Sequence, residues 1–166
     1  MFLNAVFSEP ADGEEADDPW ICGVDSSLKI GIDSCAAVSV IPEGLVPGKI
    51  HRDDQTGTRY RAANGTPIYD LGRQEIFGRL DGDGAVKGLK FRVAQVGRPL
   101  LSVADLVEKG KRVTFELDDS GRNISSIVDR RTDESLPIGF RNRTFEISMT
   151  VAPPPPGFPG RGCAHP

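Results

Sequence analysis

Asn64-Gly65 stands between two stretches in which apolar and polar residues alternate, Thr58–Ala63 and Thr66–Leu71. That arrangement constrains the fold more than any other feature of the chain. A period of two sends alternate side chains to opposite faces of a strand. An Asn-Gly pair meets the need of the tightest turn for positive φ at both central positions. The expectation is a β-hairpin with its tip at residues 64 and 65. The same period returns where Leu28, Ile30 and Ile32 alternate with Lys29 and Gly31. It returns again in Gln74–Leu80 and Val86–Val93, which flank the turn signal Asp81-Gly82-Asp83-Gly84. The two aspartates of that turn lack the further acids and closing Glu of a calcium loop. Arg112–Leu117, Asn123–Val128 and Thr144–Met149 add three more candidate strands.

One segment follows helical spacing instead. Ser102 is placed to cap a helix, Asp105 follows three residues on, Val103, Leu106 and Val107 make an apolar stripe, and Lys109-Gly110 closes it. With 19 glycines and 13 prolines punctuating 166 residues, short elements prevail. The predicted class is all-β, a small barrel or folded sheet with one short helix.

The length suits one domain with tails. Residues 1–20 carry six acids and no base and are expected to be an acidic flexible leader. From Ala152 to Pro166 the chain is rich in Pro and Gly, which favours a disordered, extended tail. The leader carries −6, so with a net charge of −4 the remainder sums to +2. A nearly neutral body lacks the electrostatic footprint of nucleic-acid binding, and Arg130, Arg131, Arg141 and Arg143 read as a solvated face. No apolar run approaches the roughly 20 residues of a membrane-spanning helix. Three irregularly spaced cysteines argue against a disulfide framework, and the N-terminus has no basic region of a secretory signal. The expected compartment is intracellular and cytoplasmic, which makes the sequons at Asn64, Asn123 and Asn142 chance matches.

The segment Lys29-Ile30-Gly31-Ile32-Asp33-Ser34-Cys35-Ala36-Ala37-Val38-Ser39-Val40-Ile41-Pro42 carries the chemistry. A strand delivers an acid into a turn of small residues, and an apolar strand leaves it. Such an acid either serves a function that needs a perturbed carboxyl or caps a tight bend as an Asx-turn. Asp25, eight residues earlier, lacks both the small-residue turn and the following strand. A zinc site from Cys22, Cys35, His51, Cys163 and His165 has no close Cys-x-x-Cys pair. Cys35 as a nucleophile would need His51 in reach.

The Asp33 segment resembles the active-site loop of retropepsin-like aspartic proteases, whose signature is Asp-Ser/Thr-Gly-Ala after a strand. Tyr60–Ile68 is similar to the flap hairpin of retroelement members. Phe91–Val96 followed by Pro99-Leu100-Leu101-Ser102-Val103-Ala104-Asp105-Leu106 resembles their late apolar strand, turn and helix. The likeness covers roughly residues 21–118, with 119–151 expected as a C-terminal β extension. It implies a small closed barrel of the retroviral aspartic protease type.

It also implies the residues of a site. Asp33 would be catalytic, within an active-site loop of Ser34, Cys35 and Ala36. Ala63, Asn64 and Gly65 would belong to a flap over the peptide, with Ala36 and Ala63 lining the cleft. No metal or cofactor is needed. Two carboxylates ~3 Å apart repel by about 5 kcal/mol at an effective dielectric near 20, so one keeps a proton while the other activates water. This chain has one good copy of the motif, so the resemblance implies a homodimer in which two Asp33 residues meet and Ser34 bonds across the axis. The expected activity is that of an aspartic endopeptidase acting on a peptide or polyprotein. Cys35 stands where the family has Gly, which tolerates unusual φ/ψ and close approach of substrate. The second reading is therefore a retroelement-derived domain that binds peptide or partner without cleaving it.

Overall fold

The structure, a computed structural model, describes residues 2–3, 27–82 and 84–154. Its strands are β1 (Phe2–Leu3), β2 (Ser27–Asp33), β3 (Val40–Pro42), β4 (Arg59–Ala62), β5 (Pro67–Leu80), β6 (Val86–Ala94) and β7 (Leu100–Ser102). Helix α1 (Val103–Glu108) precedes β8 (Lys111–Thr114), β9 (Ser126–Asp129), β10 (Ser135–Pro137), β11 (Gly139–Arg141) and β12 (Thr144–Val151). The class is all-β with one short helix among the described residues, as the periodicity predicts. Most of the leader, Cys22, Asp25, Asp83, Cys163, His165 and the tail from Pro155 lie outside the described residues. Phe2–Leu3, expected within the leader, instead pairs in parallel with Arg61 and Ala62 of β4.

The principal sheet runs β1-β4-β5-β6-β3-β7-β2-β12-β11, and β5 also pairs with β12. The pairings therefore form a circuit from β5 through β6, β3, β7, β2 and β12 back to β5. A smaller sheet, β10-β9-β8, stands apart from it. β12 pairs with β2 along Glu146–Thr150 and with β5 along Met149–Val151. Ile127, Ile138, Ile147 and Met149 belong to the main core cluster. The stretch 119–151 is thus built into the body next to the strand that carries Asp33.

β5 is one strand of 14 residues with strict in–out burial, where the sequence suggested separate strands ending at Leu71 and starting at Gln74. The apparent break is a β-bulge between Asp70 and Gly72. Gly72 has φ 133°, and a Cβ there would lie 2.7 Å from the His51 carbonyl oxygen, so the bulge requires glycine. Gly78 serves the crossing with β12, since a Cβ there would lie 2.5 Å from the Thr150 oxygen.

Two apolar clusters fill the interior. Ile30, Ile32, Ile41, Ile76, Phe91, Val93 and Leu101 belong to the larger. Val40, Tyr60, Ala62, Ile68, Ala94, Val96 and Leu100 form the other, with Val38 against it. Neighbours in sequence divide between them: Val40 and Ile41, Val93 and Ala94, Leu100 and Leu101. Successive strand side chains point to opposite faces, so β3, β7 and the Phe91–Ala94 end of β6 are covered on both sides.

The 59–69 hairpin forms, with Tyr60 opposite Ile68, but its turn differs from the expected one. The Gly65 N–H bonds to the Ala62 carbonyl at 2.9 Å, so Ala63 and Asn64 are the central residues. Gly65, at φ 87°, is the left-handed residue that follows, and Asn64 stays at negative φ. The two-residue turn with positive φ at both centres occurs instead between β11 and β12, at Asn142 (φ 47°) and Arg143 (φ 61°). Phe140 and Phe145 face each other beside it, ring centroids 4.7 Å apart. Left-handed geometry costs a side chain about 1–2 kcal/mol, partly offset by the chain entropy glycine loses. Arg143→Gly is expected to stabilise the fold by about 0.5–1 kcal/mol in urea denaturation. A lower midpoint would contradict the turn assignment.

Candidate functional site

β2 ends at Asp33, which is half-buried and opposite Ser102 of β7 in the parallel register. The Asp33 Oδ1 accepts the Cys35 N–H at 2.8 Å, which is Asx-turn geometry. Among the described residues, Oδ2 has no hydrogen-bond partner. Ser34 and Cys35 are exposed, and the Cys35 thiol is free. Cys35 holds negative φ, so the side chain is carried without the backbone strain that glycine would relieve. Ala36, expected at the surface of a cleft, is only 2% exposed. Its carbonyl accepts the Ser102 hydroxyl at 2.7 Å.

The loop is fastened to the start of α1. Ser102 caps the helix, its Oγ accepting the Asp105 N–H at 3.3 Å. In a simple capping box Asp105 would return to the Ser102 N–H. Here Ser39 is inserted between them. The Ser102 N–H donates to Ser39 Oγ at 3.0 Å, while the Ser39 hydroxyl and N–H both donate to Asp105 Oδ2 at 2.7 Å. Ser39 and Ser102 are buried with their polar groups satisfied. The cap of a two-turn helix thus fixes both Ala36 and Ser39, and with them the loop that Asp33 opens.

Ala63, Asn64 and Gly65 form the exposed tip of the other element. The Asn64 side chain accepts the Thr66 N–H at 3.0 Å. The tip stands clear, while the hairpin's body is packed: Tyr60, Ala62 and Ile68 share the second core cluster with Val38 and Val40, the strand leaving the Asp33 loop. The structure therefore brings the hairpin body and the loop exit together.

A charged cluster beneath the hairpin has no counterpart in the sequence reading. Asp70, 2% exposed, accepts Arg92 Nε at 2.6 Å and Nη2 at 2.7 Å, the Tyr60 hydroxyl at 3.0 Å and the Gly72 N–H at 2.8 Å. The other edge of the guanidinium meets Asp53 through Nη1 at 2.6 Å and Nη2 at 2.8 Å. Two bidentate carboxylates on one planar cation is an arrangement only arginine permits. The hydrogen bonds from Arg92 hold the Asp53 carboxyl well below the usual carboxylate range. Asp53 and then Asp70 raise Arg92 in turn. Burial, and then the bond to Asp70, push Tyr60 up to about 12. On the far side of the molecule's chain order, the bond from Lys111 lowers Asp129 to about 2.

Other candidates fall away from this region. His51 is exposed, and its backbone bridges to Arg73 at 2.8 Å in both directions. No group of three or more His, Cys, Asp or Glu side chains suited to a metal ion occurs among the described residues. Arg130 and Arg131 line a depression with Lys109, Lys111 and Asp129, whereas Arg141 lines a different one, so the four arginines do not share one groove. No helix among the described residues is long and apolar enough to cross a membrane. No family model, curated protein or solved structure matches the chain.

Removing the cation leaves Asp70 buried and unpaired, so Arg92→Met is expected to cost about 3–5 kcal/mol in urea denaturation. The pH dependence has two limbs. Asp53 and Asp129 titrate below the ordinary 3.8 in the folded state, so their stabilisation is present above that value and lost as pH falls below it. Tyr60 titrates above the ordinary 10.0, so its share is complete below pH 10 and lost as pH rises toward 12. Thermal melts against pH should show Tyr60→Phe flattening the alkaline limb and sparing the acid one.

Proposed function

We propose that this chain is an aspartic endopeptidase domain of the retropepsin-like type, active as a homodimer in which each protomer contributes Asp33. The observation that carries the reading is the fastening of the Asp33 loop. A half-buried carboxylate with one oxygen bonded and one free stands at a strand end, in a loop pinned at Ala36 and Ser39. Catalysis by paired carboxylates depends on such positioning, because a shared proton requires the oxygens to meet at hydrogen-bond distance. The exposed Ser34 and Cys35 leave that loop open to a second protomer. The circuit of pairings from β5 round to β12 supports the small closed barrel of that type, and the 59–69 hairpin supports a flap tipped by Ala63, Asn64 and Gly65.

In the proposed dimer the ionised Asp33 takes a proton from water as the oxygen attacks the scissile carbonyl, and the protonated one donates to the carbonyl oxygen. The proton lost by water and the proton gained by substrate balance through the pair. The substrate is an extended peptide, with a polyprotein as its natural form. A second reading, a domain that binds peptide without cutting it, draws on Cys35, whose exposed side chain adds bulk beside Asp33.

Asp33→Asn is expected to abolish peptide cleavage at any pH while the dimer persists in sedimentation. Cleavage retained in that variant would refute the peptidase. Cys35→Gly is expected to change cleavage by less than about threefold, because the loop already holds negative φ at this position. A gain of a hundredfold or more would mark the natural chain as impaired and favour the binding module.

A further inference from the structure

Arg92 occupies a position from which it touches both halves of the proposed site. Its side chain grips Asp70 on β5, and Asp70 holds the Tyr60 hydroxyl on β4. Its backbone lies opposite Val40 of β3, and its N–H donates to the Ser39 carbonyl at 2.8 Å. Ser39 is the residue through which Asp105 and Ser102 fasten the Asp33 loop. One residue thus joins the base of the hairpin to the exit of the loop, by two short chains of hydrogen bonds with every buried member satisfied.

Apolar packing of Tyr60, Ala62 and Ile68 also holds the hairpin, but it carries no hydrogen bond that fixes the hairpin's height. Its tip residues are exposed, and below β4 its backbone pairing continues, among the described residues, through Asp70 N–H to Thr58 O at 2.9 Å and Gly57 N–H to Asp70 O at 2.8 Å. Asp70 takes part in those bonds and in the side-chain bonds to Arg92, so any shift of the hairpin base must disturb the guanidinium pair. Asp53 adds a different restraint. It sits on the exposed 51–57 loop with its side chain 27% accessible, and its carboxylate also accepts the Gln55 N–H at 3.2 Å.

We propose that Arg92 is a positioning residue that sets the register of the 59–69 hairpin over the Asp33 loop, acting through Asp70 and Tyr60 on one side and Ser39 on the other. The assignment rests on reading these two elements as the sides of a peptide site. Asp53 restrains only the outer loop. Truncation of Arg92 to Met would confound the test by unfolding the chain, so the variants are Arg92→Lys, which keeps the charge and loses the fork, Tyr60→Phe and Asp53→Asn.

Hydrogen exchange on the whole chain separates the possibilities. Arg92→Lys and Tyr60→Phe are expected to speed amide exchange at least tenfold across residues 59–69 while β2 and β12 stay within twofold of the parent. Asp53→Asn should loosen 51–57 and leave 59–69 unchanged. Exchange that rises equally in every strand, or does not rise in the hairpin, would overturn the assignment. So would loosening of the hairpin by Asp53→Asn to the extent seen with Tyr60→Phe. If the parent cleaves peptide, KM should rise five- to tenfold in Arg92→Lys and Tyr60→Phe with kcat held within about twofold; a loss confined to kcat would also overturn it. If the parent cleaves nothing under conditions where it dimerises, the peptidase reading fails, and the exchange pattern alone decides the role of Arg92.

Discussion

A guanidinium almost removed from water holds the hairpin side of this molecule together. Arg92 is 8% exposed and Asp70 2%. Moving either charge inside costs several kcal/mol, which their attraction offsets only where geometry and further hydrogen bonds are good. Both conditions are met. Asp70 accepts four hydrogen bonds, and both edges of the guanidinium face a carboxylate. The net worth of such a cluster in stability is small, because well-packed apolar residues of the same volume often stabilise a fold as well. Its distinctive contribution is directional. Apolar surfaces slide against each other at little cost, whereas a fork bonded to two carboxylates has one arrangement. The hairpin rests on an apolar cluster of modest size, and the charged pins give it a height.

The same economy governs the loop on the opposite side. Helix α1 is six residues long, too short to form on its own propensity. Its first turn exists because Ser102, Asp105 and Ser39 satisfy one another, and those bonds also secure the loop that follows Asp33. Helix and loop are therefore conditional on each other. β3, β7 and the Phe91–Ala94 end of β6, buried on both faces, carry the connection between the loop and the hairpin. A strand covered on both sides has no free face on which to relax, so a displacement at Val40 would be felt in both core clusters. That rigidity is what a site assembled from two separate elements requires.

Much of this was legible in the chain, and the failures have identifiable physical causes. The alternation around residues 58–71 located the hairpin, because one of its faces is wet. It could not find β7, since Leu100 and Leu101 are consecutive apolar residues that go to different cores and leave no period of two. The gap between Leu71 and Gln74 hides the bulge at Gly72 that lets β5 continue past the His51 backbone. The tight turn expected at Asn64-Gly65 falls instead at Asn142-Arg143, where the sequence offers no turn signal. The Phe140–Phe145 pair and the strand register impose the tight turn on a sequence with arginine where glycine is favoured. Around Asn64, the pairing of Ala62 with Thr66 leaves room for one more residue. The helix was legible to its ends because capping is a local code, but Ser39 was not, since its partners lie more than sixty residues away. Asp70 and Arg92 each look like the polar half of an alternating strand, and nothing local signals that both point inward.

The placement of Asp33 bears on how the proposed peptidase would be controlled. In the single chain its carboxylate has one oxygen committed to the Cys35 N–H and lies half-buried, and among the described residues no charged group stands at bonding distance from it. In the proposed dimer the perturbed pair that acid–base chemistry needs would therefore arise on association. The monomer needs none of this, because the bonds from Ser102, Ser39 and Asp105 hold the loop whatever the charge on Asp33. A loop fastened in that way keeps its shape within one protomer, which is what the proposed pairing of two Asp33 carboxylates would require.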